Sequence, residues 1–217
     1  MLDTMVSYSA VLGVFAVALA LVLTPGPNMI YLVSRSISQG RRAGLVSLAG
    51  VAIGFLIYLT ATNLGLAAVF TAVPALYTAV KLAGAAYLAW LAVQALRGTV
   101  SAFEPTELQQ DSTRRLFTMG LVTNLLNPKI AIMYISVIPQ FVDPTAGHLL
   151  LQGFTLGGVQ IAVAVAVNLA IVVLAGSIAQ FLAVRPTWLR VQRYLMGTVL
   201  GLLAVRVATD GSRPVSG

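Results

Sequence analysis

Apolar residues run along this chain in long blocks, each closed by charged or turn-forming residues, and the blocks have the length of a bilayer crossing. Their boundaries predict six helical spans: about Tyr8 to Val33, Ala43 to Asn63, Leu76 to Leu96, Leu116 to Phe141, Leu149 to Leu182 and Tyr194 to Ala208. The last is short, roughly 22 Å at about 1.5 Å per residue. It is expected to extend backward through Thr187 to Gln192, with Arg190 and Arg193 snorkelling to the headgroups. The fifth is longer than a hydrocarbon core of about 30 Å requires, so a tilt or a break near Gly157 and Gly158 is expected.

Composition agrees with the pattern. Hydrophobic residues make up 59% of the chain and charged residues 9%, with a mean hydropathy of +0.93, whereas soluble domains carry roughly 25% charged residues. At about 20 apolar residues per crossing, 217 residues hold about six spans and their loops but no sizeable soluble domain. The expected fold is therefore all-α, a single transmembrane domain over residues 1–217. Before the first apolar run the only charged side chain is Asp3, and no Ala-x-Ala pattern closes that run, so the first segment is expected to be retained rather than cleaved.

Charge adds a topology. A net charge of +7 would suit nucleic acid, but the basic residues sit at the ends of apolar runs and form no patch, so no nucleic-acid partner is expected. Nine of the thirteen lie in alternate loops: Arg35, Arg41 and Arg42, then Arg97, Arg114 and Arg115, then Arg185, Arg190 and Arg193. The opposite side carries Lys81, Arg206 and Arg213 with Asp143 and His148, and the positive-inside rule places both termini outside the cytoplasm. With no cysteine and one histidine, thiolate and histidine-rich metal sites, disulfides and thiol redox chemistry are excluded, and no cofactor is expected.

Two segments are broken by proline at corresponding places, Thr24-Pro-Gly-Pro-Asn28 and Asn124-Leu-Leu-Asn-Pro-Lys129, and segments three and six share Leu-x-Gly at Leu82 to Gly84 and Leu195 to Gly197. These echoes suggest a three-plus-three repeat with halves of about 1–97 and 114–217. Three is odd, so the second half would enter the membrane inverted, with helices 1 and 4 broken. Between the halves, residues 98–113 carry Glu104, Pro105, Glu107 and Asp111 and read as a mobile cytoplasmic linker without catalysis.

Pro25, Pro27 and Pro128 lack a backbone N–H and should free the carbonyls of Leu21, Leu23 and Asn124. Unpaired backbone at membrane depth is tolerated only where protein or a wet cavity satisfies it, so paired breaks point to a central site; two structural kinks are the alternative. Lys129 lies 14 residues from both Arg115 and Asp143, about 21 Å along a helix, which is beyond the reach of snorkelling. A charge there costs ~3 kcal/mol on insertion scales and should face a cavity, a partner or a substrate carboxylate. Lys81, about 24 Å from Arg97, is expected to snorkel at the outer surface. Asn63, Asn124, Asn127, Gln160 and Asn168 are polar within spans and serve either substrate or helix contacts. Gly44, Gly50, Gly54 and Gly84 permit close helix approach for packing, for a homodimer face or for sliding during transport.

Leu23-Thr-Pro-Gly-Pro-Asn28, Ser38-Gln-Gly-Arg-Arg-Ala-Gly44, Lys81-Leu-Ala-Gly-Ala-Ala-Tyr-Leu88 and Asn124 to Lys129 together resemble the LysE/RhtB family of amino-acid exporters across nearly the whole chain. The resemblance implies six helices in a bacterial-type inner (plasma) membrane and efflux of amino acids or derivatives such as lysine, threonine, homoserine or homoserine lactone, driven by the proton gradient. The family's Pro-Gly-Pro-Asn/Asp motif maps to Pro25, Gly26, Pro27 and Asn28, and its Asn-Pro-Lys motif to Asn127, Pro128 and Lys129, with Asn124 beside it. These residues are the expected substrate and transport site. Many members have Asp where this chain has Asn28, and no Asp or Glu lies inside any predicted span. Proton coupling would therefore use Lys129, a loop carboxylate or the substrate's own charge, and uniport stays open.

The expected mechanism seats the substrate between the broken helices, its carboxylate on Lys129 and the N–H groups of Asn28 to Ile30, its ammonium on the freed carbonyls, with rocking halves giving alternating access. A membrane enzyme is disfavoured because paired intramembrane carboxylates, a Cys pair and a His cluster are all absent. A channel or a non-transporting membrane scaffold is the competing reading.

Overall fold

Ser7 starts the first helix, its side chain accepting from the Ala10 N–H at 3.1 Å. In the computed structural model, which describes residues 6–66, 74–97 and 110–183 and the positions 190, 191, 194, 197, 198, 201, 202, 204, 205, 208 and 209, this helix, α1, spans Tyr8–Leu23. It stops because Pro25 pushes Thr24 into an extended conformation (φ −75°, ψ 125°), and Gly26 is extended as well. Pro27 then opens α2, Pro27–Gln39, at the first helical position, where a missing N–H costs nothing. The two axes differ by 54°.

Gly40, at φ 86°, takes a backbone conformation that favours glycine and turns the chain into α3, Arg41–Ala61, which ends in a π turn over Thr62–Leu66. The helix α4 covers Pro74–Arg97. Ser112 caps α5, Thr113–Leu125, by accepting from the Arg115 N–H at 3.3 Å. After a break at Leu126 and Asn127, α6 (Pro128–Ile132) passes into a π turn over Met133–Val137 and a 3-10 turn over Ile138–Phe141. This run is bent by 50° from α5. The last long helix, α7, is Leu149–Ala183.

Each expected span from the first to the fifth thus corresponds to a helix or a bent helix pair. Among the described residues, α3 and α7 are long and apolar enough to cross a membrane singly, and the bent pairs α1–α2 and α5–α6 do so together. The 35 residues of α7 continue through Gly157 and Gly158 without a break. Gly157 instead admits a neighbour, since a Cβ there would lie 2.3 Å from Leu59 Cδ1. The sixth span falls largely outside the described residues. Its described positions are helical, and Gly197 packs on Leu96 and Ala92 of α4. The Lys81 side chain and the surroundings of Gly84 also lie outside what is described.

The distribution of side chains is that of a protein whose solvent is lipid. Leu12, Phe15, Ile53, Leu56, Ile57 and Leu174 are exposed, while Asn124, Asn127, Lys129, Gln152, Gln160 and Asn168 are buried. This is an all-α, multi-pass membrane protein.

Its most extensive helix contact is α3 on α5, and glycine makes it from both sides. A Cβ on Gly50 would sit 2.1 Å from the Phe117 carbonyl oxygen, and one on Gly120 would sit 2.2 Å from that of Ser47. A Cβ on Gly44 would likewise collide with Ser36 and Val172, and one on Gly54 with Asn124. This glycine face is used for packing within the chain.

Of the expected linker, only residues 110–113 are described. Asp111 is fastened to α2: its carboxylate is paired with Arg35, accepts from Gln39 Nε2 at 3.0 Å and meets Arg115 Nε at 3.0 Å. Its own N–H donates to Gln39 Oε1 at 2.8 Å. The hydrogen bond from Gln39, with Arg35 and Arg115 alongside, outweighs desolvation and holds the Asp111 carboxyl below its ordinary value of 3.8. A lowered folded value means that this stabilisation is complete above the ordinary value and is lost as pH falls below it.

Two outcomes follow for the purified protein in detergent. Gly50→Ala should lower thermal stability by about 1–3 kcal/mol through backbone collision, read from its unfolding midpoint. Asp111→Asn should destabilise by a similar ~1–3 kcal/mol at pH 7, and its difference from the parent should vanish as pH drops below 3.8.

Candidate functional site

Where α1 ends, its last carbonyls have lost their helical partners. Thr24 returns both its N–H (3.1 Å) and its hydroxyl (2.8 Å) to the Ala20 carbonyl. The carbonyls of Leu21 and Thr24 are taken by a side chain more than one hundred residues away: Lys129 Nζ donates to Leu21 O at 2.7 Å and to Thr24 O at 2.6 Å. Lys129 is 6% exposed and crosses from the second broken helix into the first. The negative end of the α1 dipole therefore faces an ammonium.

Gly26 makes room for it. Its backbone is extended, which any residue adopts, so the need for glycine is spatial: a Cβ would lie 2.9 Å from Lys129 Nζ.

The α2 N-terminus opens on the same break and is left uncapped. Gly26 offers no side chain, Pro27 has no N–H, and the first helical bond is Ile30 N–H to Gly26 O at 2.9 Å. The N–H groups of Asn28 and Met29 consequently have no partner within the helix. At the second break the corresponding amides are closed off. Asn127 Oδ1 accepts from Lys129 N–H at 3.1 Å, and the Asn127 carbonyl takes Ile130 at 3.0 Å and Ala131 at 3.2 Å. The α5 carbonyls are satisfied too, Asn124 O by the Asn127 N–H at 3.0 Å and Leu125 O by the Tyr58 hydroxyl at 2.7 Å.

A cavity of about 30 Å³ lies between these breaks, bordered by Gly26, Asn28, Asn127, Lys129, Phe55 and Met133 and, from α7, by Gln160 and Asn168. It has room for about two waters and is too small for an amino acid. Three buried polar atoms of its lining residues have no partner: Asn28 Oδ1, Asn127 Nδ2 and Asn168 Oδ1. Leaving such an atom unpaired costs about 1–3 kcal/mol; both side-chain atoms of Asn124, outside the cavity, are unpartnered as well. Tyr134 holds Gln160 in place, donating to its Oε1 and stacking on Tyr58 with ring centroids 5.8 Å apart.

The structure thus brings together four of the eight expected site residues: Gly26, Asn28, Asn127 and Lys129. Pro25, Pro27 and Pro128 shape the breaks without bordering the cavity. Asn124 lies in the α3–α5 contact, against Gly54. The ammonium of Lys129, expected to await a substrate carboxylate, lies instead on the carbonyl of Leu21, one of the three expected to receive a substrate ammonium, and on that of Thr24, which was not among them. Gln160 and Asn168, for which the sequence left substrate and helix contacts both open, are also cavity residues. Their signal was a stripe spaced by four along α7, Leu156, Gln160, Ala164, Asn168 and Val172, all buried. Polar residues on such a stripe face the interior of the bundle.

Comparison with known proteins bears on this geometry. An uncharacterized membrane protein of Vibrio cholerae is 31% identical over 126 residues, covering 58% of this chain and 62% of the relative. Homoserine/homoserine lactone efflux proteins of Salmonella typhimurium and Salmonella typhi are each 34% identical over 122 residues, covering 56% of this chain and 59% of the relative. The matched stretch thus spans about three fifths of these relatives' own length. No solved structure gives a significant match. Residues 19–211 match the family described as LysE type translocator, both proline breaks lie within that stretch, and the chain belongs to this family.

Proposed function

We propose that this protein exports amino acids or small derivatives, of the homoserine, threonine, lysine or homoserine-lactone type, across the bacterial inner membrane by alternating access, driven by the proton-motive force. The observation that carries this reading is the pairing of opposite helix ends at one break. The α1 carbonyls offer a seat for an ammonium, and the uncapped α2 amides offer one for a carboxylate, beside the unpartnered amide groups of Asn28, Asn127 and Asn168. A zwitterion presents those two charges on adjacent atoms. Family membership and the printed names of the Salmonella relatives favour the same substrate class.

A cavity of about 30 Å³ is smaller than such a substrate. Loading requires the halves, about 1–97 and 114–217, to separate around the two breaks, an inverted-repeat motion in which α1–α2 moves against α5–α6. In this proposal the arginine-bearing loops face the cytoplasm and both termini face outward. The contacts of Asp111 with Arg35 and Gln39 then form the cytoplasmic gate, tying the end of α2 to the start of α5.

Reconstituted protein tests the reading with labelled L-homoserine, L-threonine and L-lysine, with and without an imposed pH gradient. Saturable, selective flux is the expected result; flux without saturation would favour a channel, and none with any substrate a scaffold. Lys129→Gln should reduce flux by about tenfold or more, while Lys81→Gln should transport like the parent. Asn168→Leu, which removes an unpartnered acceptor from the cavity wall, should weaken substrate binding by about threefold to tenfold, seen as a raised half-saturation concentration.

A further inference from the structure

We infer that Lys129 is the proton-carrying group of the transport cycle, exchanging with the substrate's ammonium for a single seat on the carbonyls of Leu21 and Thr24. This rests on the reading of the protein as an amino-acid exporter.

The seat is defined by the structure. Lys129 Nζ is held by two backbone oxygens at 2.7 and 2.6 Å, in a buried position where none of the cavity-lining residues is acidic. All six carboxylate residues of the chain (Asp3, Glu104, Glu107, Asp111, Asp143 and Asp210) lie outside the expected spans. A lysine side chain and an α-amino acid present the same chemical group, a primary ammonium, and those carbonyls bind either. One ammonium already holds both oxygens, so a second can take them only when the lysine withdraws.

Among the described residues, the surroundings leave Lys129 as the group that exchanges protons. The lining residues of α1 and α2 are Ala18, Leu21, Val22, Asn28 and Met29, none titratable, and α3 contributes Phe55. From α7 come Gln160, Ala164 and Asn168. The neighbouring tyrosines have other commitments: Tyr134 donates to Gln160, Tyr58 to Leu125 O and Tyr31 to Leu116 O. Arg35 is farther along α2 and paired with Asp111, while His148 lies in the loop before α7.

The cycle balances as follows. From the outward-facing state, the neutral Lys129 amine takes one proton from external water, and the resulting ammonium settles on Leu21 O and Thr24 O, closing the unloaded carrier. From the inward-facing state, the substrate's ammonium takes those carbonyls. With the substrate's carboxylate seated on the uncapped N–H groups of α2, a displaced lysine ammonium would be a second buried cation without a partner of its own, so it passes its proton to cytoplasmic water and stays as a neutral amine. The amine lone pair can then accept from Asn127 Nδ2, an unpartnered donor of the same cavity. One proton enters for each substrate that leaves, and a zwitterion moved this way is exported electrogenically. The amide at Asn28 then requires no carboxylate for coupling.

The test is proton release on binding. Purified full-length protein in weakly buffered detergent at pH 6, with a pH indicator, is titrated with L-homoserine while binding is followed by calorimetry. The wild type should release close to one proton per L-homoserine bound, and its affinity should tighten about tenfold per pH unit while the unloaded protein keeps Lys129 charged. Lys129→Gln should release none and bind without that pH dependence. Should this variant fail to fold, N-acetyl-L-homoserine, which has no ammonium, should cause no proton release from the wild type. Binding of L-homoserine without proton release, or equal release with the acetylated compound, would overturn the exchange and leave the exporter reading standing. Failure of L-homoserine, L-threonine and L-lysine all to bind would instead sink the exporter reading.

Discussion

The contact on which the rest of the arrangement depends is the ammonium of Lys129 lying on the carbonyls of Leu21 and Thr24. Two broken helices expose backbone groups in the middle of a protein whose outside is hydrocarbon, and such groups need partners. Thr24 meets part of that need locally, through Ala20. Lys129 meets more of it from the other half of the chain, and in doing so its own charge is stabilised by the dipole of α1. Each element that would be costly alone is acceptable because of the other. Gly26 is the residue that allows them to approach.

The two breaks resemble one another in outline and differ in detail. At the second, Asn127 caps the following helix and Tyr58 takes the last carbonyl of the preceding one, so its backbone is largely satisfied internally. At the first, the α2 amides are uncapped and the α1 carbonyls rely on a lysine. The first break is therefore the one whose carbonyls depend on a distant side chain, and the second supplies the group that occupies it. The unpartnered atoms of Asn28, Asn127 and Asn168 lie on residues around the same cavity. At the far end of α2, Asp111 makes the corresponding tie between segments outside the apolar region, through Arg35 and Gln39.

Much of this was legible in the chain itself, because the bilayer imposes a one-dimensional rule. Apolar blocks of sufficient length cross, prolines within them break, and a lysine about 21 Å from either marker residue cannot leave. Those constraints act along the sequence and need no knowledge of neighbours. They determined the all-α membrane architecture, the positions of both breaks and the burial of Lys129.

Tertiary structure decided what faces what. Which carbonyls Lys129 reaches depends on how α6 lies against α1. That Asn124 meets Gly54 while Asn127 borders the cavity depends on a rotation of about 100° per residue around a helix axis whose orientation only packing sets. Gln160 and Asn168 became cavity residues for the same reason, since α7 turns its buried stripe toward the breaks. The sequence by itself determined that a charge would be buried between two broken helices. Only the fold decided that the charge would sit on the carbonyls, because side-chain partners separated by more than one hundred residues are chosen by packing and not by local chemistry.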